Sequence, residues 1–588
     1  MAVLPPRRCG NSRLRARIRN PLKLIAVPAP SPAFTGLSSL PARAQSPRAK
    51  SPAAWAALTL LVSLGLWEPA AATVPAGGAS PARACSDLTR VANRESRMVI
   101  SAAEELPAAP AGTVPPGLGP GKVAVAVPAH CQVQGMIDAH AGTDGKRYGL
   151  AFALALPDAW NGRFLFQGGG GLNGTLSPPL GATAAGDRPA LARGFAVVST
   201  DGGHRGAGFD PSFLADQQAS LDFAFNSVPT VAGVAKQLIE AYYGKLPSHS
   251  YFSGCSTGGR EGMEAVERYP LLFDGVITGS PAMRTGYSNV ALGWAAVAFN
   301  RIAPRDRATG KPVPGAAFSP ADRRLIVRGV LQACDGLDGL EDGMIFNVNA
   351  CRRRFDPAVL ICRGSKTPGC LSRAQVGALK TAFDGPVMPG GWRIYSPFPY
   401  DTGIGSQPPA IFPPGLLLTS TAGPVSGGKL PLSIDLEGEV ARVHASALQQ
   451  LTDTYAWTNL GTFAAHGGKQ ILYHGMSDAW FSAFDTLDYY ERLARDDGGL
   501  EKVRGFDRLF LVPGMGHCGG GPATLDQFDF LTPLVKWVEQ GVAPDAVIAT
   551  GTDFPGRSRP LCAWPRHAQY EGRGNPADTA SFVCRVQN

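Results

Sequence analysis

The stretch Tyr251-Phe252-Ser253-Gly254-Cys255-Ser256-Thr257-Gly258-Gly259-Arg260 decides the fold of this 588-residue chain. It contains Gly254-x-Ser256-x-Gly258 between an apolar run that predicts a strand and a segment with helical periodicity. A strand that turns at once into a helix crowds the residues on either side of the turn, which explains glycine at positions 254 and 258. The pattern therefore predicts a nucleophile elbow with Ser256 at its tip, although it also arises by chance in a chain with 72 glycines.

Two later strand ends supply the partners that a serine nucleophile needs. Asp478 follows the apolar run at residues 470–473, and His517 follows the run at residues 508–512. The order Ser256, Asp478, His517 is that of α/β-hydrolases, in which histidine takes the serine proton and aspartate fixes the imidazole tautomer. Each residue alone has an ordinary interpretation, because Asp478 could cap the next helix and His517 is one of nine histidines. Together they predict a catalytic triad.

A glycine loop is expected to supply part of an oxyanion hole. Residues 168–171 are four glycines that follow the predicted strand at residues 163–167. Such loops let the backbone approach a substrate carbonyl closely, and a phosphate-binding loop is excluded because no Gly-Lys-Ser/Thr sequence follows. We expect the backbone N–H groups of Gly171 and Thr257 to stabilise a tetrahedral oxyanion, with Thr257 at the positive end of the helix that follows Ser256.

The rest of the chain predicts the fold class. From about residue 128, short apolar runs alternate with amphipathic stretches, which is typical of an α/β fold with a mainly parallel sheet. We expect an α/β-hydrolase core in two parts, residues 73–281 and 469–588, with a large inserted lid at residues 282–468, where the alternation weakens. The predicted strands are residues 148–155, 163–167, 195–200, 250–254, 275–278, 470–473 and 508–512; the predicted helices are residues 231–243, 260–269, 483–495 and 530–539.

The first 72 residues have the composition of a leader. They contain ten basic residues and one acid, and so account for the whole formal net charge of +9. An uncharged apolar run at residues 53–66, with basic residues before it and alanines after it, indicates a secretory signal and is short for a spanning helix. We expect a secreted or periplasmic protein without a stable membrane anchor, the alternative being an uncleaved signal. Nucleic-acid binding is not expected, because the remaining residues are formally neutral.

Export changes the interpretation of the cysteines. Ten of the eleven lie beyond the leader, an even number that favours five disulfides in an oxidising compartment. The sequence alone leaves their pairing open. No Cys-x-x-Cys motif occurs, so a zinc ribbon or a thioredoxin-type site is not expected.

These motifs resemble the tannase and feruloyl esterase family, and within it most closely the terephthalate monoester hydrolases, over about residues 85–588. The most specific element is one cysteine beside the nucleophile and another beside the histidine, Cys255 and Cys518. The resemblance implies that these two are bonded, which ties the serine loop to the histidine loop. It also implies Gly171 and Thr257 as the oxyanion donors. The other pairs that it implies are Cys85–Cys131, Cys334–Cys351, Cys362–Cys370 and Cys562–Cys584.

An acidic segment at residues 334–345 carries a second feature of the family. Three aspartates stand there with glycines between them, and clustered carboxylates repel one another unless a hard cation neutralises them. From the residues alone, a solvated acidic turn is the alternative. The resemblance implies a structural Ca²⁺ in the lid. The ligands that it implies are the side chains of Asp335, Asp338 and Asp342 and the backbone carbonyls of Leu340 and Met344.

One stretch departs from the terephthalate hydrolases, which are expected to hold the free substrate carboxylate with a lid arginine flanked by aromatic residues. No Arg occurs between Arg393 and Arg442, and Phe412 is the only aromatic residue among residues 408–430. This departure leaves the choice of aromatic acid open.

The expected function is that of an exported serine esterase acting on a small-molecule ester of an aromatic acid, of the feruloyl, galloyl or terephthaloyl type. One alternative is a lipase or peptidase on the same fold. Another is a non-enzymatic binding module, although such proteins usually lack a member of the triad. His474, four residues before Asp478, either lines the acyl pocket or is structural, and the sequence does not decide between the two.

Overall fold

The computed structural model describes residues 80–91, 97–113, 125–313, 315–405 and 432–587. The predicted leader and signal peptide, residues 1–72, and the aliphatic stretch at residues 408–430 lie outside the described residues. The strands of the described chain are β1 (Val99–Leu106), β2 (His130–Ala141), β3 (Arg147–Pro157), β4 (Arg163–Gln167), β5 (Ala196–Thr200), β6 (His249–Cys255), β7 (Gly275–Gly279), β8 (Lys469–Gly475), β9 (Asp507–Val512), β10 (Gln527–Phe528), β11 (Ala546–Thr550), β12 (Arg559–Cys562), β13 (Arg566–Tyr570) and β14 (Phe582–Val586).

One large mixed sheet organises these strands, in the order β1-β2-β3-β5-β4-β6-β7-β8-β9. The six strands from β5 to β9 in this order are parallel to their neighbours. At the other edge, β1, β2 and β3 are antiparallel, and β3 joins the parallel part by pairing antiparallel with β5. Because the carboxyl ends of parallel strands meet at one edge of a sheet, the loops after β6, β8 and β9 are brought to the same side of the molecule.

The central strands are buried on both faces, which explains why they are continuous apolar runs in the sequence. Every residue of β5 and of β7 is buried. In β4, Phe164 and Phe166 belong to one hydrophobic cluster and Leu165 to another, because successive side chains of a strand point to opposite faces. The first cluster includes Leu238 of a helix on one face, and the second includes Trp537 of a helix on the other.

Helices cover this sheet and fill the long connection between β7 and β8. The described parts of that connection, residues 280–313, 315–405 and 432–468, contain several α-helices, so helical segments stand where the sequence predicts a lid. The role of these segments as a lid stays a prediction. In the described ranges, no helix is both long and apolar enough to cross a bilayer. The α-helices are α1 (Gln217–Leu221), α2 (Ser227–Tyr243), α3 (Thr257–Arg268), α4 (Thr285–Ile302), α5 (Pro320–Cys334), α6 (Val348–Arg354), α7 (Arg373–Asp384), α8 (Leu436–Ala445), α9 (Ala447–Thr452), α10 (Gly461–Ala465), α11 (Ala483–Asp496), α12 (Leu500–Val503) and α13 (Leu531–Gln540).

The predicted fold class is confirmed. The seven predicted strands correspond to β3 through β9, and the four predicted helices to α2, α3, α11 and α13. The sheet is less uniformly parallel than expected, because β1 and β2 extend it on the antiparallel side. A small three-stranded sheet of β10, β11 and β12 and a two-stranded one of β13 and β14 are further additions.

Candidate active site

Ser256 lies between β6 and α3, in a backbone conformation that the neighbouring glycines make possible. Its φ is 65° and its ψ is −121°, a strained combination for a residue with a side chain. A Cβ atom at Gly254 would lie 2.4 Å from the carbonyl oxygen of Gly258, and one at Gly258 would lie 2.6 Å from that of Gly169. Both glycines of the elbow are therefore required by close backbone approach.

The backbone of Ser256 is fixed from two sides. Its N–H donates to the carbonyl of Gly279 at the end of β7, over 3.0 Å. Its carbonyl oxygen accepts from the N–H of Arg260, at 2.9 Å, and from the N–H of Ala282, at 3.1 Å. The strained turn is thus held by the neighbouring strand and by the first turn of α3.

The glycine loop lies against this elbow. Gly171 has a φ of 58°, which favours glycine, and its carbonyl oxygen accepts a hydrogen bond from the hydroxyl of Thr257. The N–H of Gly258 donates to the carbonyl of Gly169 over 3.1 Å. In the part of the chain that the structure describes, the N–H groups of Gly171 and Thr257 have no hydrogen-bond partner, so both are free to bind a ligand. The structure brings the two predicted oxyanion donors to the same place.

Glu261 of α3 holds the glycine loop, a role that the sequence analysis missed. The residue is 1% exposed. Its two carboxylate oxygens accept from the N–H of Gly169 and from the side-chain amide of Asn173, each at 2.9 Å. An acid that follows the elbow glycines in the first helical turns is the only signal of this role in the sequence.

Asp478 and His517 are joined at the carboxyl ends of β8 and β9. Nδ1 of His517 lies 2.7 Å from Oδ2 of Asp478. The other oxygen of Asp478 accepts from the N–H groups of Trp480, at 2.8 Å, and Phe481, at 3.1 Å. Burial opposes ionisation of Asp478, but the charge of His517 and the hydrogen bonds from His474 and His517 outweigh it and hold its pKa below the usual range. Asp478 is therefore a buried carboxylate that remains ionised.

His474 lies behind this carboxylate. The side chain is fully buried, and it is not among the residues that line the cavity at Ser256. Its Nε2 lies 3.2 Å from Oδ2 of Asp478 and 3.1 Å from the carbonyl oxygen of Phe481, while Nδ1 lies 2.8 Å from Oγ1 of Thr486. Because both neighbours of Nε2 are acceptors, this nitrogen is a donor. The contacts favour the structural role over the pocket-lining one.

The second nitrogen of His517 is available for chemistry. Nε2 is buried, and no hydrogen bond joins it to Ser256 or to any other group in the described ranges. The ring is placed by Trp480 and Phe481, whose ring centroids lie 4.7 and 5.4 Å from its own. A disulfide between Cys255 and Cys518, with Cα atoms 5.9 Å apart, connects the residue before Ser256 to the residue after His517. Hydrogen bonds between nucleophile and base are often formed only when substrate is bound.

A cavity opens at Ser256, Gly171 and Thr257. Its walls are mostly apolar and aromatic, with a few polar side chains from α4 and α9 among them. The apolar lining residues are Leu172, Phe209, Phe213, Leu214, Phe223, Ala282, Leu448, Trp480 and Phe481; the polar ones from the two helices are Thr285, Asn289, Gln449 and Thr452. Such a cavity suits a ring-bearing group with a small number of polar substituents.

Comparison with known proteins decides the family. The profile of the Tannase and feruloyl esterase family matches residues 131–408 and 431–585, most of the chain. The chain belongs to the tannase and feruloyl esterase family. Members are ester hydrolases, and this chain is accordingly a carboxylic ester hydrolase.

Relatives of this tannase and feruloyl esterase family member are similar over most of their length. The chain is 39% identical to the mono(2-hydroxyethyl) terephthalate hydrolase of Piscinibacter sakaiensis, over 78% of this chain and 85% of the relative. It is 30% identical to a probable feruloyl esterase B-2 of Neosartorya fischeri, over 73% of this chain and 82% of the relative. The crystal structure of an esterase from Aspergillus oryzae superposes with a TM-score of 0.68 at 25% identity, covering 85% of this chain and 99% of that one. These likenesses extend through the described core and its helical insertion.

The family member contains five disulfides within the described ranges. The bond at the elbow is Cys255–Cys518. The other four are Cys85–Cys131, Cys334–Cys351, Cys362–Cys370 and Cys562–Cys584, so the structure pairs the ten cysteines as the family resemblance implies.

The acidic segment forms a buried cluster in this tannase and feruloyl esterase family member. Asp335 accepts from the N–H of Asp342, at 3.0 Å, and Asp338 accepts from that of Leu340, at 3.2 Å. Among the described residues, two guanidinium groups contact the cluster: Arg559 pairs with the carboxylate of Asp342, and Arg557 donates to the backbone carbonyl of Asp342 over 3.1 Å. Burial, with the charges of Asp342 and Asp335, raises the pKa of Asp338 to about 8. Three carboxylates, two of them on buried residues, thus lie together with two guanidinium groups beside Asp342.

Some oxygen atoms of this cluster already accept hydrogen bonds, and others do not. In the described ranges, no group of three or more His, Cys, Asp or Glu side chains is arranged to hold a metal ion as the side chains stand. The carbonyl oxygens of Leu340 and Met344, in contrast, accept no hydrogen bond from the described chain. The donor set of carboxyl groups and free carbonyls has the chemistry that Ca²⁺ prefers.

Proposed function

We propose that this chain is an exported serine esterase that hydrolyses esters of aromatic acids, with Ser256 as nucleophile, His517 as general base and Asp478 as the orienting carboxylate. The observation that carries the proposal is the 2.7 Å contact of His517 Nδ1 with Asp478, in a loop bonded through Cys518 to the residue before Ser256. That arrangement leaves His517 Nε2 free to face the serine hydroxyl.

Acylation follows from these positions. Ser256 Oγ attacks the ester carbonyl carbon while His517 Nε2 takes the hydroxyl proton, and the buried Asp478 carboxylate stabilises the imidazolium that forms. The carbonyl oxygen becomes an oxyanion, and the free N–H groups of Gly171 and Thr257 donate hydrogen bonds to it. The imidazolium then gives its proton to the leaving alkoxide oxygen, and the alcohol departs from the acyl-enzyme.

Deacylation repeats these steps with water. His517 Nε2 removes a proton from a water molecule as its oxygen attacks the acyl carbon, and the same two N–H groups stabilise the second oxyanion. When that intermediate collapses, Ser256 Oγ leaves and regains its proton from His517, which releases the carboxylic acid. No part of the cycle requires a cofactor.

The walls of the cavity support an aromatic acyl group. Phe213, Phe223 and Phe481 lie with Ser256 around one space, and aromatic side chains pack favourably against a substrate ring. Relatives named as feruloyl esterases and as a terephthalate monoester hydrolase support the same class of substrate. The proposed substrates are therefore esters of the feruloyl, galloyl or terephthaloyl type.

A substrate panel with Ser256→Ala tests this function. We expect the wild-type enzyme to hydrolyse methyl ferulate, methyl gallate or mono(2-hydroxyethyl) terephthalate faster than long-chain esters or peptides. Ser256→Ala should lower kcat by about 10⁴-fold or more. Ser253→Ala, which removes a hydroxyl that bonds the carbonyl of Thr183, is the matched control and should retain activity. Turnover near wild type in Ser256→Ala would refute the nucleophile, and a preference for long-chain esters or peptides would refute the substrate class.

Export is the second part of the proposal. Five disulfides in the described chain support folding in an oxidising compartment, because such bonds are rare in the cytosol. The mature protein is then expected outside the cell or in a periplasm.

A calcium ion in the acidic segment is the third part. The clustering of three carboxyl groups beside only two guanidinium groups in the described chain, and the two carbonyl oxygens without a donor, support it. Asp335, Asp338 and Asp342, with the carbonyls of Leu340 and Met344, would hold the ion. Its contribution is structural, because it would neutralise the cluster and take no part in the hydrolytic steps.

A further inference from the structure

Asn289 is a polar residue in the cavity at Ser256 whose side chain is not used by the protein. It lies on α4 and is 1% exposed. Neither its amide nitrogen nor its carbonyl oxygen has a hydrogen-bond partner in the described chain. Asn289 lines the same space as the proposed nucleophile. A buried amide with both ends unpaired costs free energy that an apolar side chain at the same position would avoid.

Several other polar groups of this wall are already bonded within the protein. Thr285, one helical turn before Asn289, donates from Oγ1 to Oε1 of Gln449 over 3.0 Å, and the N–H of Gly286 donates to the same oxygen over 2.7 Å. Thr452 bonds the carbonyl of Leu448 over 2.8 Å. Asn289 takes no part in these bonds, so its buried amide is left unpaired in the wall of the cavity.

The charge of the cavity indicates which ligand group this is. Arg260 is the charged side chain among the described lining residues, and its guanidinium is already occupied. It donates to the carbonyls of Phe223 and Ala224, each at 2.8 Å, and to the carboxylate of Glu264, at 3.2 Å. A substrate carboxylate would therefore meet no free cation on this described wall, whereas a neutral polar group needs none.

We propose that Asn289 binds a phenolic hydroxyl on the ring of the acyl group, an inference that rests on the proposed function. An amide offers one acceptor and one donor group, and a phenol offers both in return: its O–H donates to Oδ1, and its oxygen accepts from Nδ2. A carboxylate only accepts, so it would leave Oδ1 unpaired. Asn289 thus selects hydroxylated aromatic acids over their unsubstituted or carboxylated counterparts.

The test compares substrates that differ in this hydroxyl alone. Methyl p-coumarate and methyl cinnamate share a ring and an ester, as do methyl 4-hydroxybenzoate and methyl benzoate. Wild-type kcat/KM should favour the hydroxylated member of at least one pair by about tenfold or more, since a site built to hydrogen-bond a hydroxyl discriminates against its absence. Asn289→Leu should remove most of that preference by slowing the hydroxylated substrate, with the unsubstituted one changed by less than about threefold.

Two further measurements distinguish a role of Asn289 in substrate binding from a role in folding stability. Asn289→Leu should raise Tm, because it removes an unpaired buried amide. Thr285→Val, which removes a hydroxyl of the same wall that is already bonded, should leave the preference ratio unchanged. Equal losses on both substrates, a fall in Tm, or an unchanged ratio in Asn289→Leu would each overturn the assignment. If the wild type hydrolyses none of the four esters and none of the aromatic esters of the substrate panel, the proposed function itself fails, which is a different result.

Discussion

The carboxylate of Glu261 accepts a hydrogen bond of 2.9 Å from the N–H of Gly169, two residues before the proposed oxyanion donor Gly171. Through this bond the helix that begins at the nucleophile also positions the loop opposite it. Glu261→Gln keeps the shape of the side chain. Its amide N–H₂ would, however, face either the N–H of Gly169 or the side-chain amide of Asn173, which are both donors. We expect kcat for p-nitrophenyl acetate to fall by about tenfold with little change in KM, because the loss is in placing the oxyanion donor.

Glu264→Gln is the matched control for that change. Glu264 lies on the same helix, is equally buried, and bonds Arg260 and Arg268 instead of the glycine loop. It should lower Tm and retain kcat. A fall in Tm without a fall in kcat for Glu261→Gln would show that its role is structural only.

Removal of the Cys255–Cys518 disulfide is expected to lower kcat/KM by more than the accompanying loss of folding stability can explain. Replacing Cys255 and Cys518 with serine frees the two loops that carry the proposed nucleophile and base. We expect kcat/KM to fall by about tenfold or more, since small displacements of catalytic groups are costly. The control pair is Cys362 and Cys370, which closes a short surface loop. Equal reductions in the two double variants, each measured alongside Tm, would count against a role for Cys255–Cys518 in alignment.

Replacing Asp507 with asparagine is expected to stabilise the protein by an amount that depends on pH. Asp507 is fully buried, and its carboxylate oxygens accept no well-formed hydrogen bond in the described chain. Burial raises its pKa well above the usual 3.8 and outweighs the opposing effect of the backbone N–H and the charge of Arg508. Between about pH 4 and the raised value, the folded state keeps a proton that the unfolded state has lost, so stability falls as pH rises, by up to about 1.4 kcal/mol per pH unit. Asp507→Asn cannot lose a proton, so it should be nearly as stable as wild type at pH 4 and increasingly more stable than wild type as pH rises to 7.

Urea unfolding at several pH values measures the effect of Asp507→Asn. The exposed Asp158 gives a control, and Asp158→Asn should change stability little at any of these pH values. A difference between Asp507→Asn and wild type that is the same at pH 4 and pH 7 would refute the protonated state of Asp507.

Chelation tests the calcium proposal. We expect EGTA to lower Tm by about 5 °C and Ca²⁺, but not Mg²⁺, to restore it, because an ion that binds only the folded state stabilises it. Asp338→Asn should abolish this response. Asp356→Asn, which alters an exposed carboxylate paired with Lys380, should preserve it. A Tm that does not respond to chelator in the wild type would argue for a cluster stabilised by Arg559 and backbone N–H groups alone.

The core of the fold could be predicted because its signals are local. The strands from β3 to β9 are buried apolar runs bounded by turns, and they were located to within a few residues. β1, in contrast, lies at the edge of the sheet, and its side chains are exposed or half-buried. Apolar and polar residues therefore do not alternate regularly along Val99–Leu106. The start of α3 at Thr257 was placed three residues late, since Gly258 and Gly259 are weak helix formers that packing against Gly169 and Gly279 holds in place.

The sequence predicts the residues of the proposed triad and their order along the chain. It does not predict the residues that hold the triad and the glycine loop in position. Ser256, Asp478 and His517 stand at strand ends that topology brings together. The partners of Glu261 lie about 90 residues earlier in the chain, and contacts across such distances leave no periodicity or motif. The partners of His474 are near in sequence, but the loop that turns them back onto its ring shows no regular spacing. Asn289 is likewise an ordinary residue of an apolar helix until the cavity beside it is known.

The bond between Cys255 and Cys518 spans the whole helical connection between β7 and β8. A protease that cuts once anywhere in residues 280–468 would therefore give two polypeptides that remain one covalent molecule. Such a nicked enzyme would migrate as a single band without reductant and as two bands with it. Its serine and its histidine would belong to different polypeptides, yet still be held side by side.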